Sequence, residues 1–221
     1  MGIAVSVAKE PAGADGAACG AALARAALAG LGISPQALLL FSPYHRVDHR
    51  ALLAGVRSVA GAVPLLGGSS YGGICGARLE ETAPVLLALG GDLRAAVGLG
   101  RGMARDSRAC GREAALAALA ALAEPARLCL VLHEPQMGNP VELLEGLRDE
   151  LGAAFPIIGG GTGTGSILEQ SPMSLQFAGE KVYAGSCVVM LLAGEFAFRG
   201  GFSHGAEAVS KPFVLTKARG N

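Results

Sequence analysis

The 221 residues suffice for one large domain or two small lobes, and half of them are apolar, so a sizeable core is available. Eighteen basic residues balance eighteen acidic ones, aromatics make up 5% and Trp is absent, which excludes the basic, aromatic-studded surface of a nucleic-acid binder. Five cysteines without a CxxC pair offer no zinc or redox motif and fit a reducing, cytoplasmic setting. No apolar run reaches the length of a membrane span, since Arg25 and Glu195 break the longest candidates. The first nine residues lack the basic-then-apolar pattern of a secretory leader.

Along the chain, Ile3-Ala-Val-Ser-Val7 alternates as a strand. Asp15 then opens an Ala/Leu helix carrying Cys19-Gly20, because an Asp at that place accepts the free backbone N–H groups and faces the positive end of the dipole. Leu38-Leu-Leu-Phe-Ser-Pro43 is a short apolar run ending at proline, as in a buried strand, and Leu52-Leu53, Gly55 and Arg57 sit on a second helix. Val63-Pro-Leu-Leu-Gly-Gly68 leads into a glycine-rich turn, and a strand follows from Pro84 to Leu89. The same series then recurs about 91 residues further on. Ala95–Leu99 is the strand, Asp106 opens the helix with Cys110-Gly111, and Leu128–Leu132 is the run that ends at Pro135. Leu143-Leu144, Gly146 and Arg148 mark the second helix, Phe155-Pro-Ile-Ile-Gly-Gly160 leads to the second glycine turn, and Cys187–Leu192 is the last strand of the copy.

Strands alternating with helices predict an α/β fold of two repeated β-α-β-α-β-β units, about 3–92 and 94–205, with mixed, largely parallel sheets around a pseudo-two-fold. The stretches 84–90, 93–101, 182–193 and 196–203 read as antiparallel hairpins. No linker separates the units, so one domain with two lobes over 1–221 is expected. Cys129 and Cys187, inside apolar runs, read as small buried hydrophobes.

The turns Gly67–Gly73 and Gly159–Gly165 each follow an apolar strand directly. Glycine lets a ligand approach the backbone, exposed N–H groups form anion-binding concavities, and ligands of open α/β sheets lie beyond the carboxyl ends of strands. The candidate ligand contacts are therefore Gly67, Gly68, Ser69, Ser70, Gly160, Gly161, Thr162 and His204. The bland alternative is close packing of two backbones. Neither turn is a GxGxxG opening a helix, and no GxxxxGK[ST] occurs. Gly68-Ser-Ser-Tyr-Gly72 fits GxSxG with Ser70 as nucleophile, but Gly72, Gly73 and Gly76 argue against the helix that such an elbow requires. His45 and His49 have chelating spacing without an acidic third ligand nearby and read as a solvated loop pair. His133 ends a strand beside Glu134.

Leu38–Pro43, Pro64-Leu-Leu-Gly-Gly-Ser-Ser70, Phe155–Gly161 and Ser203-His204-Gly205 followed by Val214–Lys217 resemble, in order, the signature of the FIST N-terminal region. That resemblance implies a sensory domain of prokaryotic signal transduction. It implies a small ligand such as an amino acid, and a kinase, cyclase or chemotaxis-type partner, with no role for nucleic acid or membrane. No catalytic residues come with it, so no enzyme is expected. One branch of the family is implicated in haem-dependent nitric oxide sensing, which here would use His204 or His45 as axial ligand. A Ser hydrolase using Ser70 is the remaining alternative. Gly68 stands where family members often carry Cys, and a C-terminal FIST half is expected after Asn221.

Overall fold

In a computed structural model the chain is described over residues 2–10, 13, 15–164, 173–201, 207, 209–214 and 216–217. The predicted helix starts are where they should be. Asp15 Oδ1 accepts from the amides of Ala17 (2.9 Å) and Ala18 (3.1 Å) and starts α1 (Gly16–Leu31). Asp106 Oδ1 accepts from Ala109 N at 2.8 Å and starts α3 (Ser107–Ala121). Asp48 and Asn139 cap α2 (His49–Ala60) and α4 (Pro140–Leu151) in the same way. Each such cap is worth about 1 kcal/mol.

The strands are β1 (Ile3–Lys9), β2 (Pro35–Pro43), β3 (Leu65–Ser70), β4 (Gly73–Cys75), β5 (Arg78–Glu80), β6 (Val85–Gly91), β7 (Leu93–Arg101), β8 (Ala126–His133), β9 (Ile157–Gly161), β10 (Leu175–Ala178), β11 (Lys181–Ala184) and β12 (Ser186–Gly194). One sheet has the order β1-β6-β2-β3-β10-β11 and a second the order β7-β12-β8-β9, while β4 and β5 form a separate hairpin. The layers run helices, sheet, sheet, helices. Leu23, Leu52, Leu38, Leu40 and Leu65 fill the space between α1, α2 and the first sheet. Ala114, Leu143, Leu147, Cys129 and Val189 do so for α3, α4 and the second. A third core, with Leu66, Leu93, Leu132, Val188 and Met190, lies between the sheets. Along β2 the alternation is direct, since Leu38 and Leu40 face the helices while Ala37, Leu39 and Phe41 face the other sheet.

Glycines make the helix pairs close. A Cβ on Gly20 would stand 2.1 Å from the Leu52 carbonyl oxygen, and one on Gly55 2.0 Å from that of Ala17, where α1 and α2 meet. Gly111 and Gly146 are equally confined between α3 and α4, at 2.4 Å from Leu143 O and 2.1 Å from Arg108 O.

Three expectations need correction. The sheets are mixed, but not largely parallel: among the described residues only β2–β3 and β8–β9 are parallel pairs. The crossover through α1 carries β2 one place past β1, and antiparallel β6 fills the gap, as β12 does between β7 and β8. The same insertion overturns the expected hairpin of 84–90 with 93–101. Both edges of β6 are already taken, so the chain turns at Gly91 (φ 104°) and β7 starts the other sheet. The stretch 182–193 is two strands broken at Gly185 (φ 60°), and residues 195–201 form no strand. Cys129 and Cys187 are fully buried, as expected. Burial pushes the Cys129 thiol up to about 12 and Cys110 to about 11, and raises Cys187 well above its ordinary value, which leaves them unreactive.

Candidate functional site at the strand tips

The two glycine stretches do meet. The amide of Gly163 donates to Ser69 O (2.8 Å) and Ser69 Oγ donates to Gly163 O (2.6 Å), which ties the end of β3 to the segment after β9. Their form differs from the expectation of open hollows. Gly67 and Gly68 lie inside β3, laddered to β2 on one side and β10 on the other, and are buried. Their backbone groups are therefore committed to the sheet. A Cβ on Gly68 would stand 2.3 Å from Thr162 Cγ2, and one on Gly67 2.2 Å from Leu40 O. Close packing, the alternative noted above, is what these two glycines serve. Gly160 and Gly161 are exposed on the outer edge of β9. His204 lies outside the described residues.

Thr162 belongs to a buried polar network. Gln176, fully buried on β10, donates from Nε2 to Thr162 Oγ1 (2.7 Å) and accepts at Oε1 from Ser186 Oγ (2.8 Å) and Ser186 N (3.2 Å). Ser174 Oγ donates to Glu134 Oε2 at 2.7 Å and lies 2.6 Å from Thr162 Oγ1, which also donates to the His133 carbonyl at 3.1 Å. Glu134, also fully buried, accepts at Oε1 from the Gln136 amide at 2.8 Å. Ser69 Oγ is occupied too, since Leu175 N donates to it at 2.8 Å. These hydroxyls lock the tip of β10 against β8 and β12, and they have little capacity left for a ligand.

A second cluster at the same tips is unsaturated. Ser70, the last residue of β3, has its Oγ buried without a hydrogen-bond partner among the described residues, and so have Ser42 on β2 and Thr164. Ser70 lines an open cavity of about 400 Å³ with Tyr44, His45, Arg46, Tyr71 and Glu81. The loop after β2 thus supplies an aromatic ring and a guanidinium, and the segment after β3 supplies a second ring and a carboxylate. Burial, and then the Glu134 carboxylate, push the Tyr44 phenol up. Sequence reading singled out Ser70 but missed Tyr44, Arg46, Tyr71 and Glu81. The available signal was their place just beyond the carboxyl ends of β2 and β3.

His49 is not the solvated partner of His45 that its spacing predicted. It is the first residue of α2, 7% exposed, with Nε2 3.0 Å from the Tyr44 carbonyl. A carbonyl can only accept, so the proton sits on Nε2, and Nδ1 has no partner among the described residues. Burial depresses its basicity. No group of three His, Cys, Asp or Glu side chains converges as a metal site among the described residues. Ser70 is followed by a bend and the β4–β5 hairpin, not by a helix, so a nucleophile elbow is not formed.

The pattern that defines the FIST N domain matches residues 36–221. The chain belongs to the FIST family. FIST domains are sensory and signal-transduction domains. The match begins inside β2, so β1 and α1 lie before it although they complete the first sheet and its helix pair. Among solved structures the FIST chain is similar to a cyanuric acid hydrolase from A. caulinodans, at 16% identity and a TM-score of 0.45, over 89% of this chain and 71% of that one. No curated protein matches it. Among the described residues no helix is long and apolar enough to cross a membrane.

Proposed function

We propose that this FIST domain senses a small polar metabolite of amino-acid size, held in the cavity at the tips of β2 and β3. The observation that carries the reading is Ser70, which lines that cavity and whose buried hydroxyl has no partner among the described residues. A buried polar group without a hydrogen bond is costly, and a ligand that supplies one recovers that cost. Arg46 and Glu81 add one charge of each sign to the walls, and Tyr44 and Tyr71 add flat apolar faces with hydroxyl rims. A zwitterion or a small acid suits that set. In this reading the chain is a duplicated unit around a pseudo-two-fold, acts in the cytoplasm, and passes its state to a kinase, cyclase or chemotaxis-type partner by a population shift. The shared order of β1-β6-β2-β3 and β7-β12-β8-β9 supports the duplication.

A thermal-shift panel of amino acids and small carboxylic acids tests the site. A ligand present at a hundred times its Kd stabilises by about 2.7 kcal/mol, which for a chain of this size raises Tm by about 5 °C or more. Ser70→Ala and Arg46→Ala should fold normally and lose that rise. Flat curves for the wild type across the panel would sink the proposal.

A further inference from the structure

The fold treats the outer edges of β3 and β9 differently. On β3 the edge is taken by β10, whose Phe177 stands opposite Gly67 and is fully buried against α2, with its ring 5.4 Å from that of His49. A Cβ on Gly67 would stand 3.0 Å from the Phe177 ring, so glycine makes the room. The turn that follows is held twice: Gly179 N donates to Leu65 O (2.9 Å), and Arg57 Nε donates to Gly179 O (3.2 Å). Val182, opposite Phe177 on β11, packs on the same core.

The second sheet repeats this acceptor without an occupant among the described residues. Gly159 pairs with Val131 on β8 as Gly67 pairs with Leu40 on β2. On α4, Pro140, Leu143 and Leu144 hold the places that His49, Leu52 and Leu53 hold on α2. With Ile157 and Val131 they line an open slot of about 170 Å³. A cavity of about 150 Å³ admits benzene, so the slot takes one large apolar side chain. Arg148, in the place of Arg57, is solvent-exposed and bonds Glu145 at 2.9 Å. Ile158, Gly159, Gly160 and Gly161 are exposed, and the outer edge of β9 carries no strand among the described residues.

The donor is duplicated too. In the β4–β5 hairpin Ile74 stands opposite Leu79, as Phe177 stands opposite Val182. Gly76 follows β4 with φ 62°, and Gly179 follows β10 with the same φ of 62°. Yet Ile74 is 75% exposed and Leu79 62% exposed, where their counterparts are packed. This hairpin lies against β1, β2 and β6 and is tied to β1 by the Lys9–Glu80 ion pair, away from β9 in the topology. Among the described residues, one chain thus carries a donor hairpin without an acceptor and an acceptor edge without a donor. Two copies set head to tail match the one to the other.

The geometry points to self-association in which the β4–β5 hairpin of one copy adds antiparallel to β9 of the next. Ile74 enters the slot on α4, and Arg148 reaches the Gly76 carbonyl as Arg57 reaches that of Gly179. Sedimentation velocity on the wild-type chain should show a concentration-dependent mass above the monomer below about 1 mM. Ile74→Asp on the donor and Leu144→Asp on the acceptor should each abolish it, and Arg148→Glu, an exposed change that leaves the core alone, should weaken it about tenfold. Because the two surfaces differ, a mixture of Ile74→Asp with Arg148→Glu or Leu144→Asp joins through the one intact hairpin and the one intact edge, and stops at a heterodimer if both variants are fully blocked. A wild type that stays monomeric at about 1 mM overturns the proposal. So does an Ile74→Asp chain that associates like the wild type.

Discussion

Two groups of hydroxyls sit a few residues apart at the same strand tips, and they differ in saturation. Around Gln176 the polar atoms of Thr162, Ser174, Ser186 and Glu134 find one another. Ser70, which lines the cavity, finds no partner among the described residues, and neither do Ser42 and Thr164 near the same strand ends. The first group is therefore a clamp between sheets, and the second is the one on which the proposed binding site rests, although the residue types are the same. Chemistry at a site depends on which hydrogen bonds are already made.

Four measurements break or sharpen that contrast. The largest effect should come from Gln176→Leu, which leaves Thr162 and Ser186 buried with a bond missing each. A loss of about 3 kcal/mol in urea unfolding is expected, and a near-neutral result would end the clamp reading. Next, Ser174→Ala removes a donor from the buried Glu134 carboxylate and should cost about 1–2 kcal/mol. Third is the pH dependence of His49. Its basicity is lowered in the folded chain from an ordinary pKa of 6.5, so the unfolded chain takes up the proton first. Stability from keeping this ring neutral is complete above that value and is lost as pH falls through it toward the folded-state value. Melting temperatures from pH 8 to 5 should fall for the wild type, and His49→Gln should remove part of that slope. The smallest effect is Ser70→Ala without ligand. Deleting a hydroxyl without a partner among the described residues should shift stability by less than about 0.5 kcal/mol, or raise it slightly.

Much of the frame was legible in the residues. Asp15 and Asp106 announced helix starts because an Asp before an Ala/Leu run has one evident use. The continuous apolar run Leu38–Phe41 announced a buried strand. The recurrence of Cys-Gly and Leu-Leu-x-Gly marked corresponding helices of a repeat, and the structure adds that Gly20, Gly55, Gly111 and Gly146 are where those helices touch. The site was legible only in part. Ser70 was singled out for a turn that is a strand end, and Gly67 and Gly68 for backbone groups that the sheet consumes. Gln176 and Glu134 gave no local signal, since a single polar residue in an apolar stretch looks the same whether clamped or exposed.

Local order was thus written in the sequence. Capping, periodicity and glycine placement act over a few residues, and they fixed where each helix and most strands begin. Tertiary structure alone decided that β6 and β12 insert as antiparallel central strands, that β10 covers the outer side of β3 while β9 has no outer strand among the described residues, and that Ser70 has no hydroxyl partner among them while Ser69 does. The physical reason is that a strand's faces follow from its own alternation, whereas its edges and its hydrogen bonds are settled by segments up to a hundred residues away.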